Sequence, residues 1–302
     1  MRVVFMGTPD FAVPTLEKII SDGHEVLAVV TQPDKSKNRG MKLQYSPVKE
    51  CALKYNIPVF QPIRIKRDEE FIKAYKELKP DVTVVVAFGQ ILSKEILDVP
   101  KYGCINVHGS LLPNYRGAAP IQWSVINGDK ITCVTTMYMD VGLDTGDMIL
   151  KREVEIGKEE TSGELHDRLA VIGAEVLSET LNLLEKGNAP RIPQPIEFTY
   201  APMLTKDIGK IDWNMESEKI DSLIRGVSPW PGAFTEINGK KFKVHKVKVI
   251  DGVGMPGSII KADSKDGLVI ATANGAVELI EIQPENKKRM FAKDYLRGNS
   301  LN

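Results

Sequence analysis

Asn106 and His108 stand two residues apart, at the end of a run (Cys104–Val107) that reads as a strand. Alternate residues of an extended chain project to the same side, so an amide and an imidazole share one strand end. Gly109 follows and lets the backbone turn or lie close to a ligand. A second polar cluster, Asp140-Val141-Gly142-Leu143-Asp144-Thr145-Gly146-Asp147, comes after the strand Ile131–Met139. An imidazole, an amide and a carboxylate suit attack on a carbonyl: fixed donors hold the oxyanion, and a base takes the proton from the nucleophile. There is no GxSxG motif, and Cys104 is set aside as a nucleophile on the expectation that it faces away from His108. Transfer to an external amine is then favoured over a covalent acyl-enzyme. Each signal also has a structural reading. A histidine after a strand can be plain core, and a DxGxDxG loop can be a turn or a cation loop. Met6-Gly7-Thr8-Pro9 lacks GxGxxG, so no dinucleotide site is expected.

The elements that must hold these residues alternate. Val3–Met6 reads as a strand ending at Gly7, with a helical pattern through Leu16, Ile19 and Ile20, then a strand at Glu25–Thr31. Residues 33–47 read as a basic loop, Pro47 starts a short helix, Val59–Phe60 is extended, and Glu69–Leu78 is helical. Val82–Ala87 is a β-branched run of the kind buried on both faces. Thr161-Ser162-Gly163-Glu164 has the form of a capping box, followed by one apolar stripe from Leu165 to Leu184. This alternation predicts an α/β fold with a doubly wound, mostly parallel sheet. The domains are expected at 1–189 (catalytic) and 208–302, with 190–207 a stiff, proline-marked linker. The second domain reads as one helix, Glu216–Arg225, and short strands at Phe234–Ile237, Lys241–Val249, Gly257–Lys261, Leu268–Thr272 and Val277–Gln283. Alternation slips at His245 and Lys246, which suggests a bulge. Trp213 and Trp230 are expected in its core.

Composition is that of an ordinary globular protein, with 42% hydrophobic and 26% charged residues. Lys/Arg and Asp/Glu balance at 40 each, yet residues 208–302 carry 15 against 12. That excess hints at an anionic partner. Three scattered cysteines without a CxxC pair point to a reducing compartment and no zinc site. The first residues lack signal-peptide form, and no apolar run approaches membrane-span length. A cytoplasmic monomer with no metal and no membrane association is expected.

Asn106–Gly117, NVHGSLLPNYRG, resembles the signature of the 10-formyltetrahydrofolate-dependent formyltransferases. Met139–Met148, MDVGLDTGDM, resembles that family's second signature. Val3–Leu16 (VVFMGTPDFAVPTL), Gln32–Val48 (QPDKSKNRGMKLQYSPV) and Ser228–Ala233 (SPWPGA) are similar to the branch acting on initiator methionyl-tRNA. The resemblance implies a Rossmann-like formyltransferase domain joined to a small OB-like β-barrel. It implies formyl transfer from 10-formyltetrahydrofolate, a co-substrate, to the amino group of methionyl-initiator-tRNA. A small amine, such as an amino sugar nucleotide, is the alternative acceptor. By the same resemblance Asn106, His108 and Asp144 are catalytic, and Ser110, Leu111, Leu112 and Pro113 contact folate. Arg39 would recognise tRNA, with Lys35, Lys37 and Lys42 of the same loop and Lys206 of the interdomain region beside it.

Overall fold

The computed structural model describes residues 1–37 and 42–301; the side chains of residues 35–37, 42 and 43 are outside that description. The chain forms two compact units. One comprises Met1–Gly117, Thr132–Val154 and His166–Tyr200; the other comprises Ala118–Ile131, Glu155–Leu165 and Ala201–Asn302. The three segments of each unit alternate along the sequence.

The first unit is built on a sheet. Its strands are β1 (Arg2–Gly7), β2 (Glu25–Val30), β5 (Val59–Phe60), β6 (Val82–Val86), β7 (Cys104–His108), β9 (Ile131–Tyr138) and β10 (Met148–Glu155). Between them lie β3 (Lys35–Lys37), β4 (Lys42–Gln44) and the short β8 (Arg116–Gly117). The sheet order is β10-β9-β7-β6-β1-β2-β5. Pairs β1/β2, β1/β6, β2/β5 and β6/β7 are parallel, and β7/β9 is antiparallel. This is the doubly wound, mostly parallel sheet that the alternation predicts. Helices α1 (Val13–Ser21), α2 (Pro47–Lys54), α3 (Glu69–Leu78) and α4 (Lys94–Leu97) supply the crossovers. Ser46 caps α2 by accepting from Lys49 N, with Pro47 at the first helical position. Every residue of β6 is buried, as its unbroken β-branched sequence requires of a central strand.

The long helix α6 (Ser162–Glu185) follows α5 (Pro120–Ile126) in chain order. Its stripe Leu165, Leu169, Val176, Leu177, Leu181 and Leu184 is 4% exposed or less at every position. Gly173 lets α6 lie close to β7, because a Cβ there would stand 3.0 Å from Val107. Val107 and Ile105 thus face α6, and the alternation turns Cys104, Asn106 and His108 to the other face.

The basic stretch 33–47 departs from the expected loop. Lys35–Lys37 and Lys42–Gln44 pair as antiparallel strands, a short-range ladder too brief to show in hydrophobic alternation. The strand β10 and helix α5 were also not anticipated.

The second unit is an antiparallel sheet. After β11 (Tyr200–Ala201) and α7 (Ser217–Gly226) come β12 (Ala233–Ile237), β13 (Lys240–Ile250), β14 (Ile259–Asp263), β15 (Gly267–Ala271), β16 (Ala276–Pro284), β17 (Met290–Phe291) and α8 (Ala292–Leu296). The order is β12-β13-β16-β15-β14, with β17 on β16. Asn238 and Gly239, at φ 50° and 72°, make the tight turn from β12 to β13. The register of β13 on β16 shifts on both sides of Lys246, where the alternation slips in the sequence. The strand expected at Gly257–Lys261 starts later, at Ile259, because Gly257 (φ 85°) belongs to a turn closed by Ser258 N to Met255 O. The core gathers Ile220, Leu223 and Ile224 of α7 with Phe242, Leu268, Val277, Leu279 and Ile282. Gly226 lets α5 meet α7, since a Cβ there would lie 2.4 Å from Ile126. Trp213 packs partly buried against this core and donates to Thr235 Oγ1 at 3.1 Å. Trp230 is 55% exposed and so overturns the expectation of a core position for that residue alone. Among the described residues, no helix is long and apolar enough to cross a membrane.

Candidate active site

β7 carries Asn106 and His108 on one face, and the loop after β9 folds back across that face to bring Asp144 to them. Asn106 Nδ2 donates to Asp144 Oδ1 at 3.4 Å. His108 Nδ1 stands 3.8 Å from Asp144 Oδ2, beyond hydrogen-bond length and an ion pair only when the ring is doubly protonated. The other carboxylate contact is strong and unforeseen: Gly117 N donates to Asp144 Oδ2 at 2.9 Å. His108 is 6% exposed. Its Nε2 lies 3.0 Å from the Tyr115 carbonyl, and a carbonyl only accepts, so Nε2 carries the proton. The ring therefore meets the carboxylate, and any proton in transit, through Nδ1.

Two residues of the site hold backbone conformations that L side chains seldom adopt. Asp144 has φ 53° and Tyr115 has φ 61°. Such residues persist only where their surroundings hold them. The loop of Asp144 is held by its glycines. A Cβ on Gly146 would lie 1.9 Å from the Tyr138 carbonyl oxygen, and one on Gly142 would lie 2.1 Å from Thr145 Oγ1. Asp140 braces the same loop by accepting from Gly142 N at 2.8 Å and Thr145 Oγ1 at 2.6 Å. Asp140 is thus occupied within its turn, whereas Asp144 reaches β7; the three carboxylates of the loop are not equivalent. Among the described residues, no cluster of His, Cys, Asp or Glu is arranged to hold a metal ion.

Cys104 requires a correction. Positions 104, 106 and 108 share parity, so the thiol lies on the same face as the site. What removes it as a nucleophile is burial, which pushes the thiol up to about 12 and leaves no thiolate near neutrality.

Ser110 and Leu112 turn inward. Ser110 is fully buried, its hydroxyl donating to Asn114 O at 2.6 Å and its carbonyl accepting from Thr135 Oγ1 at 2.7 Å. The Leu112 carbonyl accepts from Lys151 Nζ at 2.7 Å. Leu111 and Pro113 are half-buried and are the members of this stretch with surface to offer a ligand. A cavity of about 580 Å³ opens beside the Asp144 loop, lined by Leu97, Cys104, Tyr138, Met139, Asp140 and Val141 among others.

Of the residues expected to meet tRNA, Arg39 lies outside the described residues. Lys35, Lys37 and Lys42 have backbones on β3 and β4. Lys206 is exposed at the start of a 3-10 turn in the second unit. Sequence reasoning missed the Tyr115 carbonyl, the Gly117 amide and Gln194, whose Nε2 donates to the Asp144 and Gly146 carbonyls at 2.8 Å each. The first two lie inside the quoted NYRG motif; Gln194 carries no local signal.

The comparisons with known proteins cover the chain from end to end. A model described as formyl transferase matches residues 1–181, and one described as formyl transferase, C-terminal domain, matches residues 203–300. A methionyl-tRNA formyltransferase of Clostridioides difficile (strain 630) is 57% identical, covering 100% of this chain and 98% of that protein. One of Alkaliphilus oremlandii (strain OhILAs) is 56% identical, covering 100% and 97%. Among solved structures, the N-formyltransferase of Helicobacter canadensis, in complex with folinic acid and dTDP-3-aminofucose, aligns at TM-score 0.69 and 20% identity, covering 95% of this chain and 99% of that one. HypX of Aquifex aeolicus, in complex with tetrahydrofolic acid, aligns at TM-score 0.65 and 16% identity. This chain is covered to 98% there but spans about half of HypX, 47%. Those two similarities concern the fold. With family models matched along both parts of the chain and relatives above half identity over its whole length, the protein belongs to the formyl transferase family.

Proposed function

We propose that this protein transfers the formyl group of 10-formyltetrahydrofolate to the α-amino group of the methionine on initiator tRNA, as a cytoplasmic monomer. Full-length similarity to methionyl-tRNA formyltransferases carries this reading, and the site supplies a mechanism for it. The neutral amine attacks the formyl carbon, and the carbonyl π pair moves onto oxygen. Asn106, with one N–H directed to Asp144, has a second N–H to donate to that oxyanion. The proton leaving the amine passes to the pair formed by His108 Nδ1 and the Asp144 carboxylate. Because Nε2 is engaged by the Tyr115 carbonyl, donation from His108 to the oxyanion would require the doubly protonated ring. Collapse of the intermediate breaks the bond to the folate nitrogen, which takes up a proton. Folate is proposed to meet Ser110, Leu111, Leu112 and Pro113, of which Leu111 and Pro113 are half-buried and have side-chain surface to offer; the cavity beside the Asp144 loop is lined by none of these four and carries Lys94, Asp98, Lys101 and Arg191 on its wall. The domains are proposed as 1–189, catalytic, and 208–302, RNA-contacting through an OB-like barrel, joined by 190–207. Lys35, Lys37, Arg39, Lys42 and Lys206 are proposed to meet the tRNA.

The decisive assay is mass-spectrometric. Wild-type protein and 10-formyltetrahydrofolate are offered charged initiator tRNA beside small amines, including amino sugar nucleotides. Formyl-methionyl-tRNA as the main product is expected. Preferential formylation of an amino sugar would replace the proposed acceptor.

A further inference from the structure

Residues 191–200, which leave α6 as an extended connection, do more than connect. Arg191 Nη1 donates to Asp147 Oδ2 at 3.3 Å, and its guanidinium lies 3.7 Å over the Tyr138 ring. Ile192 and Met148 exchange backbone hydrogen bonds of 2.8 and 3.0 Å. Thr199 accepts from Tyr115 N through its hydroxyl at 2.8 Å and from Arg116 N through its carbonyl at 3.0 Å. Tyr115 in turn offers the carbonyl that orients His108. The segment is thus laid along both parts of the site, the Asp144 loop at one end and the His108 support at the other.

Gln194 is the one residue of 191–200 that is not exposed. Its amide oxygen accepts from Arg116 Nε at 3.0 Å and Nη2 at 2.7 Å, while its nitrogen donates to the two loop carbonyls. Arg116 is itself 8% exposed and lies 4.5 Å over the Phe198 ring. An amide alone meets both demands. It needs an acceptor for the guanidinium fork and two donors for the carbonyls. We infer that Gln194 is a positioning residue for formyl transfer: locked by Arg116, it clamps the loop at the carbonyls of Asp144 and Gly146 and so sets the carboxylate against His108. The inference rests on the proposed function for its kinetic consequences. The clamp has work to do because Asp144 sits at positive φ, a conformation that relaxes when its neighbours let go.

The test uses the full-length protein with Gln194→Met, which removes every polar contact, and Gln194→Glu. The latter keeps the Arg116 pairing but turns oxygen toward two carbonyl oxygens. Displacement of a reacting group by about 1 Å costs on the order of 100-fold, so kcat should fall by about that factor in both variants. The KM values for 10-formyltetrahydrofolate and methionyl-tRNA should stay within about twofold, since no ground-state contact is removed. The NMR resonances of the His108 imidazole should move from their wild-type positions while the thermal melt remains cooperative. Should Gln194→Met fail to fold, Gln194→Glu decides. A kcat near the wild-type value, or unchanged His108 resonances, overturns the inference. If the wild type does not formylate methionyl-tRNA at all, the proposed acceptor falls, and the His108 resonances still decide the role of Gln194.

Discussion

The role proposed for His108 rests on a carbonyl. With Nε2 bound to Tyr115 O, the ring has one tautomer when neutral, and its basic nitrogen points toward Asp144. Replacing the ring removes the proposed proton carrier and, because His108 is only 6% exposed, leaves a cavity as well. His108→Ala should lower kcat by about 100- to 10,000-fold, with a far-UV spectrum close to wild type and a melt that is lowered but still cooperative. Near-normal turnover would make His108 a bystander. Asp144→Asn keeps the shape and removes the charge. Its turnover should fall steeply while tRNA affinity, measured by filter binding, hardly moves. An equal loss of affinity and rate would place Asp144 in RNA binding instead.

At the scale of elements, the loop after β9 is set by its glycines together with the Asp140 carboxylate. Gly146 passes so close to the Tyr138 carbonyl that a single methyl group cannot be placed without moving backbone. Gly146→Ala should thus cost activity more than the solvent-facing position of the loop would suggest, with a kcat loss of about 10- to 100-fold from the displaced Asp144. Steady-state kinetics beside a thermal melt would check it; unchanged kcat would show that the loop absorbs the shift. The β3–β4 hairpin poses the complementary question. Its anchoring is visible below it. Lys49 Nζ pairs with Asp34 Oδ2 at 2.5 Å and donates to Gln61 Oε1 at 2.8 Å. Burial pushes the Asp34 carboxyl up, but the hydrogen bonds from Lys49 and Gln61 outweigh it and hold it below the usual carboxylate value. Arg39→Ala should weaken use of initiator tRNA far more than use of folate. Lysine there should rescue only in part, since it lacks the planar fork. Raising salt should weaken tRNA binding by the wild type more steeply than by the variant. Equal kcat/KM on initiator tRNA would move recognition to the second unit.

For the molecule as a whole, balanced charge hides local contrasts. Lys246, at the β13 bulge, pairs with Glu159 at 2.8 Å. The hydrogen bond and charge of Glu159 raise the lysine and lower the carboxylate. Both groups are solvent-exposed, so the pair adds little to stability. His245 beside it behaves differently. Burial lowers its basicity first, and the charge of Arg289 adds to this. A depressed folded value means that the unfolded chain binds the proton more readily. Stability is then complete above the ordinary imidazole value of 6.5 and is lost as pH falls through the lower folded value. The Tm of wild type should drop more than that of His245→Gln between pH 7.5 and pH 5, as followed by circular dichroism. Parallel Tm curves would show that His245 is solvated.

Much of this was legible in the residues themselves. The unbroken run Val82–Val86 could only be a central strand, and the Leu165–Leu184 stripe could only be a helix against a sheet, because periodicity and burial are local consequences of side-chain type. The i, i+2 spacing of Asn106 and His108 was likewise enough to put them on one face. The partners of those residues were not legible. Asp144 lies 38 positions from Asn106 and was separated from Asp140 and Asp147 only by resemblance. The backbone donor at Gly117, the acceptor at Tyr115 and the amide of Gln194 have no signature, since any sequence offers N–H and C=O groups. The parity of Cys104 was misread, yet the thiol's inertness came from burial, which spacing does not report. Local pattern determines which elements form and which way their side chains alternate. Only the tertiary fold brings a loop, a turn and an extended connection to the same few ångströms of strand, because those contacts join residues whose separation along the chain carries no energetic record.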